Sequence, residues 1–145
     1  MQMPSDGRPA GCISALDQVR LEALIERTFG PDKALNPAAR TVLHRLRNAA
    51  TIAQPEQIPP GLVTMNSTVR LVDEASGRVW EVTLVYPEDH DPDESCWSVL
   101  NPVGAAIFSL CIGDVAEIAA EDGTVSRWRI ESIPFQPEAR SFLTM

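Results

Sequence analysis

Apolar residues in the first third of the chain repeat with the period of an α-helix. One run follows the spacing i, i+3, i+4 and i+8 and comprises Leu21, Leu24, Ile25 and Phe29. That spacing places the four side chains on one helical face. Ser14 or Asp17 can cap the start of this helix, and Gly30 followed by Pro31 ends it.

A second helical run begins with a strong start signal. Asn36 is a favourable N-cap residue, and Pro37 takes the first helical position, where proline is tolerated. The apolar positions that follow are Ala39, Val42, Leu43, Leu46 and Ala50. Because the connection over residues 30–35 is short, we predict an antiparallel helical hairpin, or short coiled coil, over residues 14–53. In this hairpin, acidic positions of the first helix face basic positions of the second, namely Glu22 and Glu26 against Arg40, His44 and Arg47.

The apolar period changes to two beyond a proline-rich segment. Residues 54–61 contain three prolines, which exclude a helix and predict a semi-rigid linker. The strands predicted after it cover residues 69–71, 80–84, 98–100, 115–119 and 125–133. A further helix begins at Asn101 and Pro102 and carries apolar residues as far as Leu110. We therefore predict an α+β fold, with a small antiparallel sheet and one short helix over residues 62–145, and a flexible tail over residues 1–13.

Composition and charge narrow the class of protein. Hydrophobic residues make up 44% of the 145 residues, which is enough for a core. No apolar run approaches the ~20 residues that cross a bilayer, and the start lacks a signal-peptide pattern, so we expect a cytoplasmic protein. Residues 1–57 hold seven basic and six acidic residues, and residues 58–145 hold five and fourteen, so that +1 and −9 give the net charge of −8. This balance disfavours direct nucleic-acid binding and favours a basic protein surface as partner.

The sequence contains no recognisable catalytic set. The only histidines are His44 and His90, no serine or cysteine can be assigned to either, and no glycine-rich phosphate loop is present. The acidic segment 88–94 lacks the spacing of a calcium loop, so we interpret it as a solvated loop, with a partner contact as the alternative and a metal site as the remote one. Trp80 and Trp128 fall in apolar strand phases and are predicted to be core residues.

The three cysteines do not alter this interpretation. They are far apart and lack the Cys-x-x-Cys spacing of a zinc or redox site, and they are Cys12, Cys96 and Cys111. We predict reduced thiols. We therefore expect no enzymatic activity, no cofactor and no metal.

Five short motifs resemble, in order, those of one bacterial protein family. They cover residues 58–67 (IPPGLVTMNS), 83–87 (TLVYP), 98–107 (SVLNPVGAAI), 112–114 (IGD) and 135–139 (FQPEA). Together they resemble the regulator-of-nucleoside-diphosphate-kinase (Rnk) family, which belongs to the GreA/GreB elongation-factor superfamily. The third and fourth motifs are shared with the GreA and GreB transcript-cleavage factors.

This resemblance implies an FKBP-like C-terminal domain behind a helical arm. It also implies binding to bacterial RNA polymerase at the rim of the secondary channel, through Asn101, Pro102, Val103 and Gly104. We expect a monomer. Gre factors carry an acidic pair at the arm tip, which helps to hold a catalytic magnesium ion. The tip here has Asp32 beside Lys33. We therefore predict a non-catalytic regulator that competes with Gre-type factors without stimulating transcript cleavage.

The sequence departs from the family pattern at two places, and two alternative functions stay open. Asn101 stands where serine is usual, and Phe108 with Ser109 replaces the usual Leu-Gly, so the helix end is expected to differ. One alternative is a general protein–protein adaptor. The other is an FKBP-like prolyl isomerase, which would need several aromatic side chains converging on a cleft.

Overall fold

A computed structural model describes residues 11–30, 34–120 and 122–140 of the chain. Over these residues the protein is a mixed α+β fold. The helices are α1 (Ala15–Phe29), α2 (Pro37–Arg47) and α3 (Pro102–Ile107). The strands are β1 (Cys12–Ser14), β2 (Thr51–Ala53), β3 (Thr68–Asp73), β4 (Val79–Val85), β5 (Cys96–Ser98), β6 (Val115–Ala119) and β7 (Val125–Phe135). Among the described helices, none combines the length and apolar character that crossing a membrane requires.

The first two helices begin and end close to where their local signals predict. The Ser14 side chain caps α1 by accepting a hydrogen bond from the Asp17 amide, at 3.3 Å, and Gly30 ends the helix with a positive φ of 67°. The Asn36 carboxamide oxygen caps α2 by accepting from the Ala39 amide at 2.7 Å. The helix stops at Arg47, so Ala50, which the apolar period had included, lies beyond it.

The main sheet has five strands in the order β5-β4-β3-β7-β6. The hairpins β3–β4 and β6–β7 are antiparallel, as predicted, and Leu71 lies between Trp80 and Ile130 in the register. The prediction of a purely antiparallel sheet is wrong, because β5 pairs with β4 in parallel. The connection after Val85 folds into two 3₁₀ turns and returns the chain to the sheet in the same direction.

The helix α3 is shorter than its apolar period predicts. It ends at Ile107, whereas the pattern of the sequence extends to Leu110. The chain turns at Ser109, which has a positive φ of 65° and donates its amide to the Val63 carbonyl at 3.1 Å. Ser109 therefore holds the left-handed conformation for which glycine is the usual residue at a helix end.

The helices and the sheet share one hydrophobic core. The apolar faces of α1 and α2 belong to the same buried cluster as β3, β4, β7 and α3. Representative members are Leu21, Val42, Leu71, Ile107 and Ile130, all fully buried. The helical hairpin predicted for residues 14–53 is thus packed against the sheet domain over the described residues.

Two short strands flank the helical hairpin, β1 before α1 and β2 after α2. β1 pairs in parallel with β2, in the register Cys12 to Thr51 and Ser14 to Ala53. The predicted tail over residues 1–13 is therefore wrong at Cys12 and Ile13, which are buried, whereas residues 1–10 lie outside the described part of the chain. Three-residue strands are too short to produce a recognisable period in a sequence.

The proline-rich segment 54–61 is held against the domain. Its residues Pro55–Gln57 form a 3₁₀ turn, and Ile58 is buried in a small second cluster with Cys12 and Cys111. The buried Gln136 amide donates to the carbonyls of Pro59 and Leu62, each at 2.7 Å. The segment is therefore a docked connection, not a free spacer.

Candidate functional site

The predicted contact residues lie at the start of α3. Asn101 is the N-cap residue, and its side-chain oxygen accepts from the Val103 amide at 2.9 Å. Pro102 follows at the first helical position, where the absence of an amide hydrogen costs nothing. The replacement of serine by asparagine therefore preserves the cap.

Gly104 is fixed in place by a close approach of the backbone. A Cβ atom at this position would overlap the carbonyl oxygen of Ser98 and lie 3.0 Å from a methyl carbon of Leu84. No side chain fits between α3 and the end of β5. Gly104 thus sets how closely the helix packs on the sheet.

The four predicted residues are not equally accessible. Pro102 is exposed and Asn101 is half-buried, whereas Val103 and Gly104 are buried in the core. Only Asn101 and Pro102 can present side chains to a partner. The other two act on this surface indirectly, by positioning α3.

Pro102 borders a groove that no pattern in the sequence predicts. The groove has a volume of about 620 Å³ and runs between α2, α3 and the edge strand β6. Much of its lining is proline and alanine, including Pro37, Ala38, Ala105 and Ala106. The three elements are distant in sequence, so no local pattern indicates that they meet.

Arg45 joins α2 to the end of α3 beneath this groove. Its guanidinium donates to the carbonyl oxygens of Ala105, at 2.9 Å, and Ala106, at 3.1 Å, and also to that of Phe108. Ala105 and Ala106 lie in the last turn of α3 and Phe108 is its C-cap residue, so their carbonyls lack partners inside the helix, and a cation there also suits the helix dipole. Burial lowers the pKa of Arg45, and the nearby charge of Asp114 acts in the opposite direction.

The basic positions of α2 point to solvent next to the groove. Arg40, His44 and Arg47 are exposed on one side of the helix, and we call these three residues the cationic stripe. The predicted pairing with Glu22 and Glu26 is wrong, since no ion pair between described residues joins the two helices in this way. Arg40 instead donates to the Leu35 carbonyl at 2.8 Å.

A buried carboxylate connects α1 to the segment before β3. Asp17 is 4% exposed and accepts a hydrogen bond from the Met65 amide at 3.1 Å. Burial raises the pKa of Asp17 to about 6, and the charge of Glu138 adds to this, whereas the Met65 hydrogen bond and the charge of Arg20 lower the pKa. Asp17 shares its helical phase with Leu21 and Leu24, which was the signal in the sequence that it is buried.

The acidic segment 88–94 consists mostly of exposed side chains on two 3₁₀ turns. Its one histidine, His90, accepts a hydrogen bond from the Ser98 amide at 2.9 Å and so ties the loop to β5. Among residues 11–30, 34–120 and 122–140, no three histidine, cysteine or carboxylate side chains come together in a way that would hold a metal ion.

The tryptophans pack together at the margin of the core. Trp80 lies 5.7 Å from Trp97 and 5.4 Å from Trp128, measured between ring centroids, and all three contact the main cluster. Trp80 and Trp128, which were predicted to be core residues, are partly buried and pack against the edge of the core. The predicted arm tip, Asp32 and Lys33, lies outside the described residues.

Comparison with known proteins identifies the family. The model of the family described as transcription elongation factor, GreA/GreB, C-terminal, matches residues 58–135. The regulator of nucleoside diphosphate kinase of Escherichia coli (strain K12) is 33% identical over 132 residues, which cover 91% of this chain and 94% of that protein. The chain belongs to the Rnk family. The resemblance drawn from the five ordered motifs is thereby confirmed.

Other relatives of this Rnk-family chain carry the GreA/GreB name. The solved structure of a prokaryotic transcription elongation factor GreA/GreB from Nitrosomonas europaea has 39% sequence identity and a TM-score of 0.71, and the match covers 88% of this chain and 100% of that one. GreA of Dehalococcoides mccartyi is 37% identical over 73 residues, which are 50% of this chain and 46% of that protein. The likeness to that GreA therefore covers about half of either chain.

Proposed function

We propose that this Rnk-family chain is a non-catalytic regulator of transcription that binds bacterial RNA polymerase at the rim of its secondary channel. The observation that carries the proposal is the family match over residues 58–135, which includes the helix start at Asn101 and Pro102. Pro102 is exposed beside a groove, where a partner can reach it. The relatives named as transcription elongation factors support the polymerase as that partner.

The absence of cleavage stimulation is part of the same proposal. α1 has 15 residues, about 22 Å at 1.5 Å per residue, and α2 has 11. Both helices bury their apolar faces against the sheet, which leaves little length to reach a distant active site. One carboxylate beside a lysine, Asp32 and Lys33, is a poor magnesium ligand.

An FKBP-like isomerase finds little support in this groove. Such an activity needs aromatic side chains that converge on a cleft. None of the described residues that line the groove is aromatic, and the tryptophans cluster with one another instead. The adaptor function remains the competing proposal, and binding to core polymerase distinguishes the two.

The decisive experiment is a competition for the polymerase. GreB-stimulated transcript cleavage is titrated with this protein, and we expect inhibition that increases with concentration, because two ligands of one site exclude each other. The protein alone should leave cleavage at the basal rate of the polymerase. Undiminished GreB activity on polymerase that is demonstrably bound by this protein would rule out a shared site.

A variant at Pro102 tests the assigned surface. Pro102→Asp should raise the Kd for core polymerase by about tenfold or more, because it places a charge within the contact. Folding should persist, since aspartate is favourable in the first turn of a helix. Pro92→Asp is the matched control, because Pro92 is also exposed and also begins a short helix. Equal binding of both variants would show that the assigned surface is wrong.

A further inference from the structure

The groove beside Pro102 adjoins a second depression on α2. This shallower depression is lined by Pro37, Arg40, Thr41, His44 and Arg45. It shares Pro37, Thr41 and Arg45 with the groove. The proposed contact at the start of α3 is therefore one end of a wider surface, to which the N-terminal hairpin contributes a wall.

We propose that this surface binds a protein segment with an apolar ridge bordered by carboxylates, the ridge lying in the groove and the carboxylates on the cationic stripe. The inference rests on the proposed function, because it takes the polymerase as the protein that supplies the segment. It adds that α2, in the N-terminal part of the chain, is half of the contact.

The apolar half of the surface follows from its lining. Pro102, Ala106 and Pro37 border a groove between three elements, and α3 carries no charged residue. Small side chains leave room for larger apolar ones from a partner, which is how a ridge on one protein packs into a groove on another. The groove needs α2 in place, and Arg45 holds it there.

The charged half of the surface is inferred because the basic side chains of the cationic stripe have no acidic partner among the described residues. No described carboxylate forms an ion pair with Arg40, His44 or Arg47, and α2 contains no acidic residue. The part of the chain from residue 58 onward carries −9. A partner with carboxylates would thus be oriented toward α2 and repelled by the rest of the molecule, which selects one binding orientation.

A nucleic acid fits this surface less well than a protein. Single-stranded nucleic acid is usually bound by a basic groove together with aromatic rings on which bases stack. The described lining of the groove has no aromatic ring, and three basic residues can neutralise few phosphates. The net charge of −8 also opposes the approach of a polyanion.

The test is binding of the full-length protein to core RNA polymerase at two salt concentrations. Arg40→Glu/Arg47→Glu should raise the Kd by about tenfold or more at low salt and reduce its salt dependence. Arg40→Gln/Arg47→Gln, which removes the charges without reversing them, should give about half of that effect on a logarithmic scale. Arg27→Glu/Arg78→Glu is the control, because it changes the net charge equally at exposed positions outside this surface.

The outcomes separate the two proposals. If the wild type does not bind polymerase, the proposed function fails and this inference fails with it. If the wild type binds and Pro102→Asp weakens binding, but both α2 variants match the control, the inference alone is overturned. Micromolar binding of a fluorescent single-stranded RNA, lost in Arg40→Glu/Arg47→Glu, would assign the stripe to nucleic acid and also overturn it.

Discussion

Asp17 is an acidic side chain buried where α1 meets the segment before β3. The Met65 amide donates to it, and Arg20 and Glu138 act on it with opposite signs. Tyr86 also lies within reach of its charge, since Asp17 helps burial to raise the pKa of Tyr86 to about 12. Ionisation of Asp17 therefore opposes folding, although its hydrogen bond helps to dock the helix.

We expect Asp17→Asn to stabilise the protein at alkaline pH. The pKa of Asp17 is about 6 in the folded state and about 3.9 in an unfolded chain, so the stability due to neutral Asp17 is present below pH 4 and is lost as the pH rises through 6. Asparagine keeps an acceptor for Met65 without the charge. The gain in the free energy of unfolding at pH 8 should be about 1–3 kcal/mol and should shrink toward pH 4.5.

Urea denaturation across this pH range provides the measurement. Asp93→Asn is the control for the loss of one negative charge, because Asp93 is exposed in the acidic loop. A gain at pH 8 that is the same for both variants, or that persists unchanged at pH 4.5, would mean that Asp17 is not the titrating group.

The hydrogen bonds of residues whose partners are close in the sequence could be predicted. Those of residues with distant partners could not. Ser14, Asn36 and Asn101 cap their helices through amides two or three residues away, so the sequence contains the whole interaction. Asp17 and Arg45 bind groups 48 and about 60 residues away. The helical period places Asp17 with the apolar positions Leu21 and Leu24, but no local pattern identifies the groups that Asp17 or Arg45 meets.

The short helix α3 depends on α2 for hydrogen-bond donors to the carbonyls of its last turn. Six residues leave most of the carbonyls of a helix without internal partners, and Arg45 donates to two of them, Ala105 and Ala106, and to the carbonyl of the C-cap residue Phe108. A charged donor in a partly buried position is worth more than an exposed one, because its removal leaves several acceptors unsatisfied.

Arg45→Ala should lower the free energy of unfolding by about 2–4 kcal/mol, because three partly buried carbonyls lose their charged donor. Hydrogen exchange of the α3 amides should accelerate as the last turn opens. Arg47→Ala, two residues along on the exposed side, should stay within about 0.5 kcal/mol of the wild type. Similar losses in both variants would show that helix propensity, not the contact with α3, explains the effect.

Strands that pair with a neighbour in the sequence could be predicted, whereas strands that pair across a long connection could not. β3, β4, β6 and β7 alternate apolar and polar positions around recognisable turns, so the two hairpins could be predicted. The parallel pairs β1–β2 and β4–β5 could not, because each involves a three-residue strand and a long connection. The candidate site was predictable at Asn101 and Pro102, whereas the groove beside them depends on packing between α2, α3 and β6.

The single shared core makes a prediction about cooperativity. All three tryptophans lie on sheet strands, so fluorescence follows the sheet, whereas most of the helical signal in circular dichroism comes from α1 and α2. We expect both signals to change at the same urea concentration, because the helices bury their apolar faces in the core of the sheet. Loss of the helical signal before the fluorescence change would indicate a hairpin that folds and unfolds independently.

The proposed double use of α2, in the core and in binding, has a consequence for genetics. One side of this helix carries Val42 and Leu46 into the core, and the other side carries the cationic stripe. A screen for loss of regulation in living cells would therefore recover substitutions on both sides with the same phenotype. Those at Val42 or Leu46 would reduce the steady-state amount of protein through degradation of unfolded chains, whereas those at Arg40 or Arg47 would leave it unchanged. An immunoblot would sort the two groups, and raising expression would rescue the first more readily than the second.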